Sequence, residues 1–230
     1  MSPRNKSHQS EKTVLVLVRH GATPTTGKVL PGRAKGLHLS DKGVEEAKIA
    51  GEALAAFLEN LSNRFSLGAI YSSPMERARE TALIVTKAIS AGRSEAVKPV
   101  IDRNLIECDF GDWTGQSLAS LAKLEQWKQV YVNPGNFRFP SGESFMELQS
   151  RMIDALRKYR LEHRGSIVIA LSHADPIKAA LCDAMGTHIS SIHKITVGTA
   201  CISIISYLDE MPNVNCINVT GNLSAAERTL

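Results

Sequence analysis

Two stretches of the chain are apolar almost without interruption: Val14–Val18 (VLVLV) and Ser166–Leu171 (SIVIAL). A half-exposed strand alternates apolar and polar residues, so unbroken runs of this length predict strands buried on both faces. Between them, Val44, Ala47, Ala50, Leu54 and Leu58 recur every three or four residues behind Ser40, which predicts a helix capped by Ser40 and running to about Glu59. Ser73, Pro74 and Glu76 have the spacing of an N-cap, N1 and N3 capping box, opening a second helix to about Ser90. Gly68–Tyr71 and Val97–Ile101 read as short strands. Further helices are predicted near 117–128, from Ser144 to Glu162, and from an Asp175-Pro176 cap to about Met185. Cys201–Tyr207 and Val214–Val219 read as closing strands. This alternation predicts an α/β protein, a three-layer α/β/α sandwich with a mostly parallel central sheet. The expected organisation is a flexible N-terminal tail (1–12), a single domain (13–224) with an insertion or lid region (103–145), and a C-terminal tail (225–230).

Composition narrows the function classes more than the fold. Hydrophobic residues make up 43% of the 230 and charged residues 22%, within the ordinary globular range. The formal net charge of +4 suits an anionic small molecule. No basic block with interleaved aromatics occurs, so nucleic-acid binding is not expected. Cys108, Cys182, Cys201 and Cys216 show neither CxxC nor zinc spacing and read as reduced thiols. The polar N-terminus lacks the apolar core of a signal peptide, and no apolar stretch nears the ~20 residues of a membrane span. A cytoplasmic protein with no membrane partner is expected.

The two buried strands share a further feature: VLVLVRHGA and IVIALSHAD both end in a histidine. If both strands lie near the middle of one parallel sheet, His20 and His173 emerge together at its carboxyl edge, where open α/β sheets bind ligands. Arg19, Arg77 and Glu107 are candidates for the same edge. Singly each is weak; together they suit phosphoryl transfer. Two guanidinium forks grip phosphate oxygens, and the helix after His173 offers free N–H groups to an anion. A neutral imidazole attacks phosphorus, a second, protonated one stabilises the equatorial oxygens, and a carboxyl group shuttles the proton. A catalytic metal fits poorly, since two arginines would repel a divalent cation and neither HExxH nor HxH spacing occurs. No cofactor is expected.

The same residues carry a resemblance to the histidine phosphatase superfamily, the group that includes cofactor-dependent phosphoglycerate mutases. It extends from about Val14 to Leu223 and rests on LVRHGAT (17–23), LSDKGVEEA (39–47), YSSPMERARETA (71–82), LIECDFGDWTG (105–115), FPSGES (139–144) and ALSHADPIKAAL (170–181). With the terminal NVTGNLS (218–224), the chain also resembles an actinobacterial branch described as phosphomutases. The resemblance implies His20 as the phosphorylated nucleophile and Arg19 and Arg77 as phosphate clamps. It implies His173 as the second pocket histidine and Glu107 as proton donor and acceptor, with Arg79 at the surface. A homodimer is compatible with the family. The chain departs from the family pattern at Ala22, where Glu is frequent, at Thr26, where Asn is frequent, and in GLHLS (36–40), which lacks the usual Asp. The Thr26 hydroxyl is a candidate phosphate donor in place of an amide. Ala174 stands where Gly is frequent, which keeps its backbone N–H available to phosphate.

Only 23 residues separate Gly115 from Phe139. The mutases of this superfamily carry a longer insertion there, and a lid of that kind excludes water from the intermediate. The short form favours hydrolysis of a small phosphorylated substrate, with a phosphoglycerate mutase-type phosphomutase as the alternative. A non-catalytic phosphate-ligand binder is disfavoured because His20 and Glu107 are both retained. Trp113, Trp127, Phe137 and Phe139 either line the substrate side of the pocket or pack the insertion onto the core. Arg33, Lys35 and His38 either meet the far end of an acidic substrate or are solvated.

Overall fold

A computed structural model describes residues 12–91 and 96–230. Residues 1–11 of the expected N-terminal tail lie outside the described residues, and Lys12 already belongs to the first strand. Six strands form one sheet: β1 (Lys12–Arg19), β2 (Ser66–Ser72), β3 (Val100–Ile101), β4 (Ser166–Ser172), β5 (Ile202–Leu208) and β6 (Met211–Val219), in the order β3-β2-β4-β1-β5-β6. The four strands from β3 to β1 are parallel, while β5 and β6 add antiparallel to the β1 side. The two unbroken apolar runs are the two central neighbours, β1 and β4. Val14, Val16 and Val18 enter the core beneath α1 (Asp41–Asn60) and α2 (Glu76–Ser90), whereas Leu15 and Leu17 enter the one beneath α5 (Phe145–Glu162) and α6 (Ala174–Ala184). Burial on both faces is why these strands do not alternate.

The helix starts show which local signals survive tertiary context. Ser40 caps α1 through Gly43 N (3.2 Å) and also donates to Ala22 O (3.1 Å), tying the helix to the turn after β1. That turn approaches α1 too closely for side chains: a Cβ on Gly21 would lie 2.3 Å from Gly43 O, and one on Gly43 would lie 2.0 Å from Ala22 O. The expected box at Ser144 forms, with Glu147 as its N3 partner. The one at Ser73 does not. α2 begins at Glu76 behind Met75, because the Ser73 hydroxyl is engaged by His173 instead (2.7 Å). Asp175 is likewise no cap: α6 starts one residue earlier with His173 as N-cap, and Pro176 falls in the first turn, where its missing N–H has no intrahelical acceptor to lose.

The 103–145 region is built of short pieces. The helix expected near 117–128 is split into α3 (Leu118–Leu121), capped by Ser117, and α4 (Glu125–Val132). Trp113, Phe139, Phe145 and Leu148 join Ile189 and Ile192 in a third apolar cluster that seats the region on α5 and α6. The strand expected over 97–101 is reduced to Val100–Ile101, both exposed. The 225–230 segment is not a free tail: α7 (Ser224–Glu227) and the residues after it bury Ala226 and Leu230 against the α1 side of the core. Among the described residues no helix is long and apolar enough to cross a membrane. The four cysteines form no disulfide.

Candidate active site

Parallel pairing sets Arg19 opposite Ser172, so the two histidines leave adjacent strands at the same level. The His20 N–H continues the ladder to Ser172 O (3.0 Å), and the two imidazole centroids lie 5.1 Å apart. His20 is 4% exposed and His173 fully buried. Their free nitrogens differ. His20 Nδ1 donates to Gly21 O (2.7 Å), since a carbonyl only accepts, which leaves Nε2 of the neutral ring with its lone pair. Arg77 Nε donates to that Nε2 (3.2 Å). His173 instead uses Nε2 toward Ser73. The Ser73 oxygen also accepts from Met75 N (3.4 Å); with the hydroxyl proton assigned to His173 Nε2, the other ring nitrogen, Nδ1, carries the hydrogen. That Nδ1 lies 4.0 Å from Glu107 Oε2.

The arginines converge on the same point. Arg77, in the first turn of α2, is wholly buried and donates through Nη2 to Gly32 O (2.8 Å); Arg79 faces solvent. Arg19 donates through Nη1 to Val197 O (2.8 Å). Arg77 Nη1, Arg19 Nε and His173 Nδ1 are buried and have no hydrogen-bond partner among the described residues. Buried donors are nearly always satisfied, so three orphans around one imidazole are the signature of a site shaped for an anion.

Burial pushes the His20 pKa well below its ordinary value, and Arg77 and Arg19 lower it further. Burial, then Arg77 and His20, do the same to His173. Both shifts favour the neutral rings in the anion-free site. Glu107 moves the other way. Burial and the neighbouring Asp175 raise its pKa to about 7, against the opposing pull of Arg77, of the Cys108 N–H (2.9 Å) and of Arg19.

A second layer holds Glu107 in place, and the sequence did not reveal it. Arg33 Nε (3.0 Å) and Arg151 Nη2 (3.1 Å) both donate to the Glu107 backbone carbonyl. Glu143 ties the two arginines together, at 3.1 Å to Arg33 and 2.7 Å to Arg151. Arg33 thus braces the Glu107 backbone, while Lys35 is exposed and His38 pairs with Glu80 at the surface.

A cavity of about 490 Å³ opens over His20, lined also by Arg19, Glu107, Thr26 and Ala174. The Thr26 hydroxyl accepts from Thr23 N (2.9 Å) and so also serves to close its own turn. Ala174, the first residue of α6, has an N–H without an intrahelical acceptor. Trp113, Trp127, Phe137 and Phe139 do not line this cavity; they pack against one another, with Trp113 5.6 Å from Trp127 and 5.8 Å from Phe139. Phe110 and Tyr131 supply the aromatic wall instead. Among the described residues no three His, Cys, Asp or Glu side chains are grouped so as to hold a metal ion.

The model of the histidine phosphatase superfamily (branch 1) matches residues 15–220. The chain belongs to the histidine phosphatase superfamily. Within it, phosphoserine phosphatase 1 of Hydrogenobacter thermophilus is 29% identical over 215 residues, covering 91% of this chain and 93% of that one. A bifunctional protein of Mycobacterium tuberculosis is 28% identical over 225 residues, and there this chain spans only 58% of its relative's length. A phosphoglycerate mutase of Schizosaccharomyces pombe is 25% identical over 206 residues, covering 88% and 93% of the two chains. The solved mycobacterial glucosyl-3-phosphoglycerate phosphatase shares the histidine phosphatase fold at TM-score 0.77 and 19% identity, covering 91% of this chain and all of its own.

Proposed function

We propose that this protein is a metal-independent phosphomonoester hydrolase that acts on a small phosphorylated metabolite through a phosphohistidine at His20. The observation that carries the reading is the unprotonated Nε2 of His20 beside Arg77, ringed by the orphaned donors of Arg77, Arg19 and His173. Nε2 attacks phosphorus as the ester P–O bond breaks, and Glu107, protonated near neutral pH, gives its proton to the departing alkoxide. Arg19, Arg77, His173 Nδ1–H and the Ala174 N–H hold the equatorial oxygens, with Thr26 as a further donor at the rim. The Glu107 carboxylate then takes a proton from water as the oxygen attacks phosphorus, the N–P bond breaks, and phosphate leaves. Family membership and the phosphoserine phosphatase relatives support a phosphatase.

Hydrolysis is favoured over mutase chemistry because the 103–145 region is held by its own aromatic cluster and leaves Tyr131, at the cavity wall, 55% exposed. Water therefore has access to the intermediate. Incubation with an aryl phosphate and excess chelator is expected to release phosphate and, on acid-free quenching, to show an acid-labile label on the protein. Folded protein that releases none overturns the reading. Bisphosphate-primed isomerisation of 3-phosphoglycerate faster than its hydrolysis would establish the mutase instead.

A further inference from the structure

The leaving-group half of the cavity has a chemistry of its own. Once Arg19 and Arg77 are committed to phosphate, the charged side chains left on the wall are Asp175 and Lys178, besides Glu107. Asp175 and Lys178 stand three residues apart on α6, ion-paired at 3.3 Å, each only 17% exposed. His193 adds no cation, since burial lowers its pKa. The apolar and aromatic side chains lining the same cavity include Val29, Leu30, Phe110, Leu118 and Tyr131. The space, about 490 Å³, lies in the range that holds ring-bearing ligands and is more than a three-carbon phosphoester fills.

We infer that the natural substrate is a phosphomonoester of an uncharged, ring-sized alcohol with an apolar face, and that Asp175 discriminates against esters whose alcohol carries a net negative charge. A carboxylate reaching for Lys178 must sit beside its partner Asp175, and like charges in a half-buried site repel strongly. Repulsion of this kind sets specificity as effectively as attraction does. The apolar wall supplies the attractive half, because each methylene seated in such a pocket is worth roughly tenfold or more in kcat/KM. A zwitterion such as phosphoserine could match the ion pair charge for charge, but it leaves the apolar wall uncovered.

The inference rests on the phosphohydrolase reading, and the experiment separates the two. 2-Phenylethyl phosphate, glycerol 3-phosphate, phosphoserine and 3-phosphoglycerate are all primary alkyl esters, so intrinsic leaving-group differences are small. With the intact protein, kcat/KM for the phenylethyl ester is expected to exceed that for 3-phosphoglycerate by about 10²-fold. Asp175→Asn should shrink that ratio about tenfold by relieving the repulsion of 3-phosphoglycerate. Leu118→Glu should shrink the ratio of the phenylethyl ester to glycerol 3-phosphate. Using ratios cancels any effect of either change on the common chemical step. Preference for 3-phosphoglycerate or phosphoserine over the phenylethyl ester, or ratios that neither variant moves, overturns this inference and leaves the hydrolase reading standing. Silence toward every ester, aryl phosphate included, overturns the hydrolase reading and this inference with it.

Discussion

The ends of β1 and β4 are nearly the same piece of structure used in two ways. Each is a buried parallel strand running into a buried histidine, and the two lie side by side. After β1 the chain turns through Gly21, and the Gly21 carbonyl takes the Nδ1 proton of His20, leaving Nε2 as a lone pair. After β4 the chain enters α6 directly, and Ser73 from the neighbouring β2–α2 turn takes up Nε2 of His173, leaving Nδ1 as a donor. In the proposed mechanism one imidazole serves as nucleophile and the other as hydrogen-bond donor because opposite nitrogens are tied down. The lesson is that role follows the partner of the far nitrogen, not the residue type or its strand.

This contrast is broken most severely at His20. His20→Ala is expected to lower kcat by roughly 10⁴-fold or more and to abolish acid-labile labelling during turnover, read by a phosphate-release assay and label trapping. Equal labelling of His20→Ala and the intact protein would reverse the roles assigned to the two rings.

Glu107→Ala is expected to cost about 10²–10⁴-fold for alkyl esters and far less for p-nitrophenyl phosphate, whose leaving group needs no proton. The pH dependence follows from the directions of the shifts. A carboxyl raised to about 7 donates below that pH and loses its proton above it, while a His20 held well below 6.5 stays neutral into mildly acidic solution. For alkyl esters kcat/KM should therefore be greatest between these values and fall about tenfold per pH unit above about 7. The p-nitrophenyl ester should show a muted alkaline limb, which separates Glu107 from ionisation of the substrate itself.

At His173 the expected loss is smaller, about 10²–10³-fold for Ala, as for removal of one preorganised donor. Asn carries its amide near the Nδ1 position and Gln near Nε2. His173→Asn should thus retain more activity than His173→Gln, and the opposite ranking would show that the wrong nitrogen has been assigned. Ser73→Ala, which frees the His173 ring without touching phosphate, should cost about tenfold in kcat with KM little changed, measured with the same alkyl ester.

Much of this site was legible from residue patterns because strands and strand ends are local. The unbroken runs at 14–18 and 166–171 pointed to burial on both faces, and on the condition that both strands were central in one sheet, His20 and His173 were expected to meet. The family resemblance told Arg77 from Arg79, and the four insertion aromatics were left open between lining and packing. The failures have separate causes. Ser73-Pro74 and Asp175-Pro176 carry sound capping signals, but a cap competes with any stronger tertiary partner, and the buried His173 is one for Ser73. Residues 225–230 looked like a tail because only Ala226 and Leu230 among them are buried, too few to form a pattern.

By itself, then, the sequence determined the layers, the two central strands and the five groups gathered at their carboxyl edge, since those follow from periodicity and from motifs a few residues long. Tertiary structure alone decided which nitrogen of each histidine is tied down, that burial lowers both histidine pKa values, and that it raises that of Glu107 to about 7. It also decided that Arg33 and Arg151, tied together by Glu143, hold the Glu107 carbonyl, although the three stand far apart in the chain. These properties depend on distance and burial among residues drawn from four or more segments, and no local pattern encodes the desolvation that a folded neighbour imposes.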